Sequence, residues 1–191
     1  MGKSKTMKHK KIYSLNDYNS GDGMLTSVWG PSMWHSMHTI SFNYPVNPTK
    51  NDKRNYRDYI LNIKYVLPCG KCRTNLNSNF NKLPLKMKHM ENRETFSKYV
   101  YELHELINTM LGKKSGLSYD DVRERYEDFR ARCTISLKEV KYRPKTYKKK
   151  ENGCTEPLYG EKSKCILKII PNDNKEETFQ IHEKCVRKVF E

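Results

Sequence analysis

The sequence predicts an all-α domain followed by a small β-containing C-terminal appendage. Three observations carry this reading. Between residues 31 and 132, five segments place apolar side chains at the spacing of one helical face. Proline, glycine and asparagine punctuate the gaps between them. After Cys133 the helical period gives way to short β-branched runs separated by turn residues.

The first helix is expected from Pro31, which suits an opening turn, to Phe42. Trp34, Met37, His38, Ser41 and Phe42 form its face. Pro45 and Pro48 end it. The second helix spans residues 53–66, with Tyr56, Tyr59, Ile60, Ile63 and Leu67 as its stripe, and Pro68 stops it. Cys69-Gly70-Lys71-Cys72 then opens a short third helix to Phe80, and residues 81–92 read as a loop. The fourth helix spans residues 93–111, with Phe96, Val100, Leu103, Ile107 and Met110 inward and Gly112 placed as its C′ residue. Ser118 caps a short fifth helix over residues 120–132, where Asp120 and Asp121 suit the N-terminal dipole. In the appendage, residues 165–170 read as a strand, 171–174 as a turn and 178–181 as the partner strand. The chain thus divides into a flexible basic arm (1–24), a helical domain (25–133) and a basic, cysteine-containing appendage (134–191) joined through the run Lys145 to Lys150.

Charge is the first functional clue to weigh. The 191 residues carry a formal charge of +15, which invites a nucleic-acid partner. The excess is spread over the whole chain: +3 in residues 1–28, +7 in 29–133 and +5 in 134–191. Lysine outnumbers arginine 27 to 10, whereas base readout favours arginine. Nucleic-acid binding is therefore disfavoured. No apolar run is long enough for a transmembrane helix, and the basic N-terminus has no apolar stretch behind it. A cytoplasmic, unsecreted protein is expected, so six cysteines point to redox or metal chemistry rather than a disulfide scaffold.

The sharpest motif is Cys69-Gly70-Lys71-Cys72. A helix N-terminus and the neighbouring Lys71 and Arg73 favour thiolate, the form that attacks disulfides and flavins. Half of a zinc site is the competing reading, but no second pair stands at ligand spacing, and no metal residues are assigned. A thioredoxin-like reading needs strands around the motif, and its neighbours are helical. His38 follows Trp34 by four residues, Asn108 follows His104 by four, and Lys113 lies just past that helix. Together they describe a flat aromatic pocket between helices, suited to a phosphate-bearing aromatic cofactor. With no G-x-G-x-x-G and no P-loop, such a cofactor is not held in the Rossmann manner.

In this order, the motifs resemble the Erv/ALR family of FAD-linked sulfhydryl oxidases, most of all those of large DNA viruses. The resemblance covers about residues 25–133. It comprises Trp29-Gly30-Pro31-x-x-Trp34-x-x-x-His38, Pro68-Cys69-x-x-Cys72, His104-x-x-x-Asn108-x-x-Leu111-Gly112-Lys113 and Tyr126. It implies a bundle of four helices and a short fifth, holding FAD and assembled as a homodimer. It implies Cys72 beside the flavin, Cys69 meeting the incoming dithiol, and Gly30, Trp34, His38, His104, Asn108, Leu111, Lys113 and Tyr126 around FAD. Protein dithiols, or a thioredoxin-like carrier, would supply electrons and O₂ would accept them. The alternative is a basic, cysteine-rich nucleic-acid-binding module, with or without zinc.

Three departures stand out. Glu105 replaces the asparagine that usually follows the family's histidine. Tyr101 and, with a one-residue shift, Tyr119 stand where many members carry a structural disulfide, which is consistent with a reducing compartment or with tyrosine packing in its place. No terminal C-x-x-C shuttle is present, which leaves Cys133, Cys154, Cys165 and Cys185 as a shuttle pair, as a staple or metal set in the appendage, or as free thiols. The N-terminal Met1-Gly2-x-x-x-Thr6, followed by lysines, also fits a myristoylation acceptor beside a polybasic patch.

Overall fold

The computed structural model describes residues 14–132, together with 154, 156–158, 164–166, 168–171, 173–174 and 180–186. Six α-helices occur among them: α1 Leu15–Tyr18, α2 Thr26–Phe42, α3 Lys50–Val66, α4 Gly70–Lys82, α5 Arg93–Met110 and α6 Tyr119–Glu127. The acylation motif, the Lys145 to Lys150 run and Cys133 lie outside the described residues. No helix among those described is long and apolar enough to cross a membrane.

Local chemistry sets most helix starts. Thr49, Asn92 and Ser118 cap α3, α5 and α6, each accepting from the N3 backbone while the N3 side chain returns the bond. Helix α5 ends in a Schellman motif. Gly112 takes φ +67°, its N–H donates to the Thr109 carbonyl at 3.0 Å, and the Lys113 N–H donates to the Asn108 carbonyl at 2.8 Å.

Helix α2 begins five residues before the expected Pro31. A residue preceding proline is normally kept out of helical geometry by its Cβ, and Gly30 has none. The Trp29 indole N–H also pins the entry by donating to the Met24 carbonyl at 3.0 Å. Helix α6 stops at Glu127, short of the expected Arg132. There Arg130 turns back to bond both carboxylate oxygens of Glu127 and the Phe42 carbonyl.

The core lies where α2 crosses α5 and where α3 and the 3₁₀ turn Met87–Met90 close over them. Tyr44, Ile60, Met90, Phe96, Tyr99, Val100 and Leu103 are buried together. The Tyr44 hydroxyl donates to the Met90 carbonyl, so this aromatic brings its polar end into the core satisfied. Tyr101 and Tyr119 join α5 to α6, edge to face at 5.9 Å. Of the two readings of this tyrosine pair, the packing is the one observed.

Residues 14–24, part of the expected arm, carry structure. A Ser14–Asp17 capping box starts α1, and the Met24 N–H donates to the Pro68 carbonyl at 2.7 Å. The appendage differs from the expected hairpin. Its described β pairing is β1 (Ala131–Arg132) antiparallel to β2 (Glu156–Pro157). Residues 165–166 and 168–170, within the expected strand, have no regular structure. Ile166 and Ile169 are exposed, so no packing supports a strand there. Gln180, Ile181 and Val186 line one cavity together with Leu117, Asp121 and Arg125 of the helical domain. Cys154 is disulfide-bonded, while Cys165 and Cys185 are free thiols rather than parts of a staple.

Candidate active site

The Cys69-Gly70-Lys71-Cys72 motif forms the first turn of α4. Cys69 is the N-cap residue, and its sulfur accepts from the Cys72 N–H at 3.2 Å. The two cysteines are joined as a disulfide with Cα atoms 5.2 Å apart. Cys72 packs against the core cluster, whereas the half-buried Cys69 lies outside it. The turn before them is braced from both sides. The Arg73 guanidinium donates to the Leu67 carbonyl at 2.5 Å, and Met24 takes up the Pro68 carbonyl. No cluster of three or more metal-ligating side chains occurs among the described residues.

A second feature is an aromatic cluster between α2, α5 and α6. Trp34 stacks on His104 with centroids 3.9 Å apart and planes 8° from parallel. His38 Nε2 lies 3.0 Å from His104 Nδ1, so one ring donates and the other accepts. Tyr126 stacks on Phe42 at 5.1 Å and lies 5.3 Å from His38. Burial pushes His38 down to about 3, with the neighbouring His104 and His35 adding to it, and pushes His104 down to about 4. Both rings are therefore neutral at physiological pH and can accept as well as donate. His38 Nδ1 is buried with no hydrogen-bond partner among the described residues. Such an orphan is costly unless a ligand satisfies it.

One helix face connects the two features. Thr26, Gly30, Trp34 and His38 fall at successive i+4 positions on α2 and so line one side of it. Thr26 Oγ1 reaches Cys72 Sγ at 3.6 Å, and Trp34 reaches His104. Between them stands Gly30, where an added Cβ would meet only the Thr26 methyl, at 3.6 Å. Apart from that methyl, no atom outside its own helix backbone and neighbours lies within 4 Å of that Cβ position, on a face that spans about 12 Å from Thr26 to Trp34.

The structure thus brings Trp34, His38, His104 and Tyr126 together, and sets Cys69, Cys72 and Gly30 along the same face. Asn108 lies one turn beyond His104, and Leu111 and Lys113 stand exposed at the α5 cap. The substituted Glu105 accepts from the Asn108 amide at 2.9 Å and fixes its orientation. Two members of the cluster carry no sequence signal. His35 Nδ1 lies 3.2 Å from the Tyr126 hydroxyl, and the Phe129 ring packs edge-on against both His35 and Tyr126. His35 is off the periodic face of α2, and Phe129 lies past the end of α6.

Comparison with known proteins agrees with this layout. Residues 31–127, half of the chain, match the profile of the Erv1/Alr family. A protein of Acanthamoeba polyphaga mimivirus named a probable FAD-linked sulfhydryl oxidase is 38% identical over 104 residues, which cover 54% of this chain and 72% of the relative. The FAD-linked sulfhydryl oxidase of African swine fever virus is 30% identical over 99 residues, 52% of this chain and 80% of the relative. The yeast Erv1 core superposes with a TM-score of 0.50 at 20% identity, covering 63% of this chain and 95% of that one. The FAD binding domain of Erv1 from Saccharomyces cerevisiae gives 0.50 at 22% identity, covering 55% and 96%. At those identities the structural likeness speaks for the fold, and the sequence match over half of the chain speaks for descent. The chain belongs to the Erv1/Alr family.

Proposed function

We propose that this chain is an FAD-linked sulfhydryl oxidase that converts protein dithiols to disulfides, with O₂ as acceptor and H₂O₂ as product. The carrying observation is the single face of α2 that runs from the Cys69–Cys72 disulfide, over the open strip at Gly30, to the ring cluster at Trp34, His38 and His104.

Cys69, outside the core, meets the substrate. A substrate thiolate attacks its sulfur, the Cys69–Cys72 bond breaks and Cys72 leaves as thiolate. The second substrate thiolate then displaces Cys69, which releases a substrate disulfide and leaves the pair reduced. The α4 N-terminus stabilises the negative sulfur at each stage. Bound FAD supplies two-electron acceptance from the reduced pair and delivery to O₂.

The residues present fit that cofactor. Trp34, His104 and Tyr126 offer flat ring surfaces, the orphaned His38 Nδ1 offers a polar contact, and Gly30 puts no side chain of its own between them and Cys72. Asn108, held by Glu105, and the exposed Lys113 would take the polar and phosphate portions, with Leu111 beside them at the α5 cap. A homodimer, action on a thioredoxin-like carrier and a cytoplasmic location belong to the same proposal.

The test is oxygen consumption with dithiothreitol and with a reduced protein. Cys72→Ser should abolish turnover while FAD stays bound, because Cys72 transfers electrons and contributes little binding energy. A Cys72→Ser chain that oxidises dithiothreitol at the wild-type rate would sink the assignment.

A further inference from the structure

The segment before α2 reaches the redox motif at two linked points. Gly23 lies against it so closely that an added Cβ would come within 2.7 Å of the Pro68 carbonyl oxygen and 3.1 Å of the Cys69 Cα. The Met24 N–H donates to that same carbonyl, and the Met24 carbonyl accepts from the Trp29 indole. This brace fixes the start of α2 relative to the disulfide. It sets the Thr26 hydroxyl 3.6 Å from Cys72 Sγ, within hydrogen-bond reach of sulfur. A disulfide sulfur carries no proton, so Thr26 is the donor.

We infer that Thr26 is a positioning residue of the thiol–disulfide reaction, its hydroxyl holding the Cys72 sulfur toward α2 and stabilising it as thiolate. The inference rests on the oxidase reading and adds to it a group outside the family's motifs. When the Cys69–Cys72 bond opens, the electron pair stays on Cys72 and the contact becomes charge-assisted. It is then stronger than in the disulfide form. Cys72 is thereby the better leaving group and is held ready to give up its electrons.

Other charges near Cys72 are the same in every variant below. On α4 they are Lys71 and Arg73, and Arg73 is tied to the Leu67 carbonyl. On the helices packed against α4, Lys64 of α3 is held by Asn77 and Glu105 of α5 by Asn108. Apart from its histidines, α2 carries no ionisable side chain.

The test uses the full chain with Cys69→Ser, which leaves Cys72 as a free thiol. Alkylation of Cys72 by iodoacetamide is followed against pH and read by peptide mass mapping, which separates it from Cys165 and Cys185. Thr26→Val and Thr26→Ala should raise the pH midpoint by about one unit, a tenfold fall in thiolate below it. Thr26→Ser should restore the parent midpoint. Equal midpoints with and without the hydroxyl overturn the inference, as does a Thr26→Ser chain that behaves like Thr26→Val. The midpoint is read without turnover, so its failure is distinct from a failure of the oxidase reading, which shows as absent dithiothreitol oxidation in the wild type.

Discussion

Acid should destabilise this protein in a window set by two histidines. His38 and His104 are held by burial at about 3 and about 4, against 6.5 for an exposed ring. Between those values the unfolded chain binds protons that the folded chain refuses. Stability is therefore full above about pH 6.5 and falls as the pH drops. Each histidine contributes a slope of about 1.4 kcal/mol per pH unit. From pH 6.5 to 5 that is about 2 kcal/mol per ring and about 4 kcal/mol for the pair, a large share of a typical 5–15 kcal/mol. The carboxylates of Asp52, Asp121 and Glu127 are held low by hydrogen bonds to Thr49, Ser118 and Arg130. Their contributions are lost below about pH 4, outside this window. The assay is urea unfolding of the full chain at saturating FAD, at about pH 7 and about pH 5. His35 and His89 are also held below the usual imidazole range by burial and add to the fall; a midpoint that drops steeply, with part of the drop removed by His38→Gln, is the expected result. Equal midpoints at the two pH values would refute the buried, neutral pair.

Trp34→Ala and His104→Ala each remove half of the stacked pair, and both should lower bound FAD per chain. Ligand lost from the folded state also lowers stability, so the melting temperature should fall by about 5 °C; stoichiometric flavin with an unshifted melt would contradict this. Gly23→Ala forces a methyl onto the Pro68 carbonyl and breaks the Met24 hydrogen bond. It should cost about 1 kcal/mol and slow dithiothreitol oxidation, while the FAD content stays constant. Wild-type turnover in Gly23→Ala would show that the brace does not set the redox loop.

Helices α3, α4 and α5 could be read from the sequence because each carries its own instructions. Their apolar stripes repeat at helical spacing, their caps are local, and Pro68 and Gly112 mark the ends. The ring cluster was half legible: Trp34 and His38 share a face, but His35 and Phe129 join only through the packing of α6 on α2. The sequence sets the start of α2 five residues too late, because Pro31 reads as an opening residue. The sequence cue for running the helix through it is the missing Cβ of Gly30. The brace at Gly23 and Met24 depends on the Pro68 carbonyl, 44 residues away along the chain, and no local pattern announces it. In the appendage, β-branched residues at 165–170 suggested a strand, but propensity without a packed face does not make one.

Electrons should pass from a dithiol, through Cys69 and Cys72, to a flavin held between these helices. An anaerobic titration of the purified full chain with dithiothreitol, followed by visible absorbance, tests it most directly. About one FAD per chain is expected, bleached by the dithiol, restored by air, and left oxidised in Cys72→Ser. A chain that purifies without flavin, or whose flavin dithiothreitol cannot bleach, would contradict it.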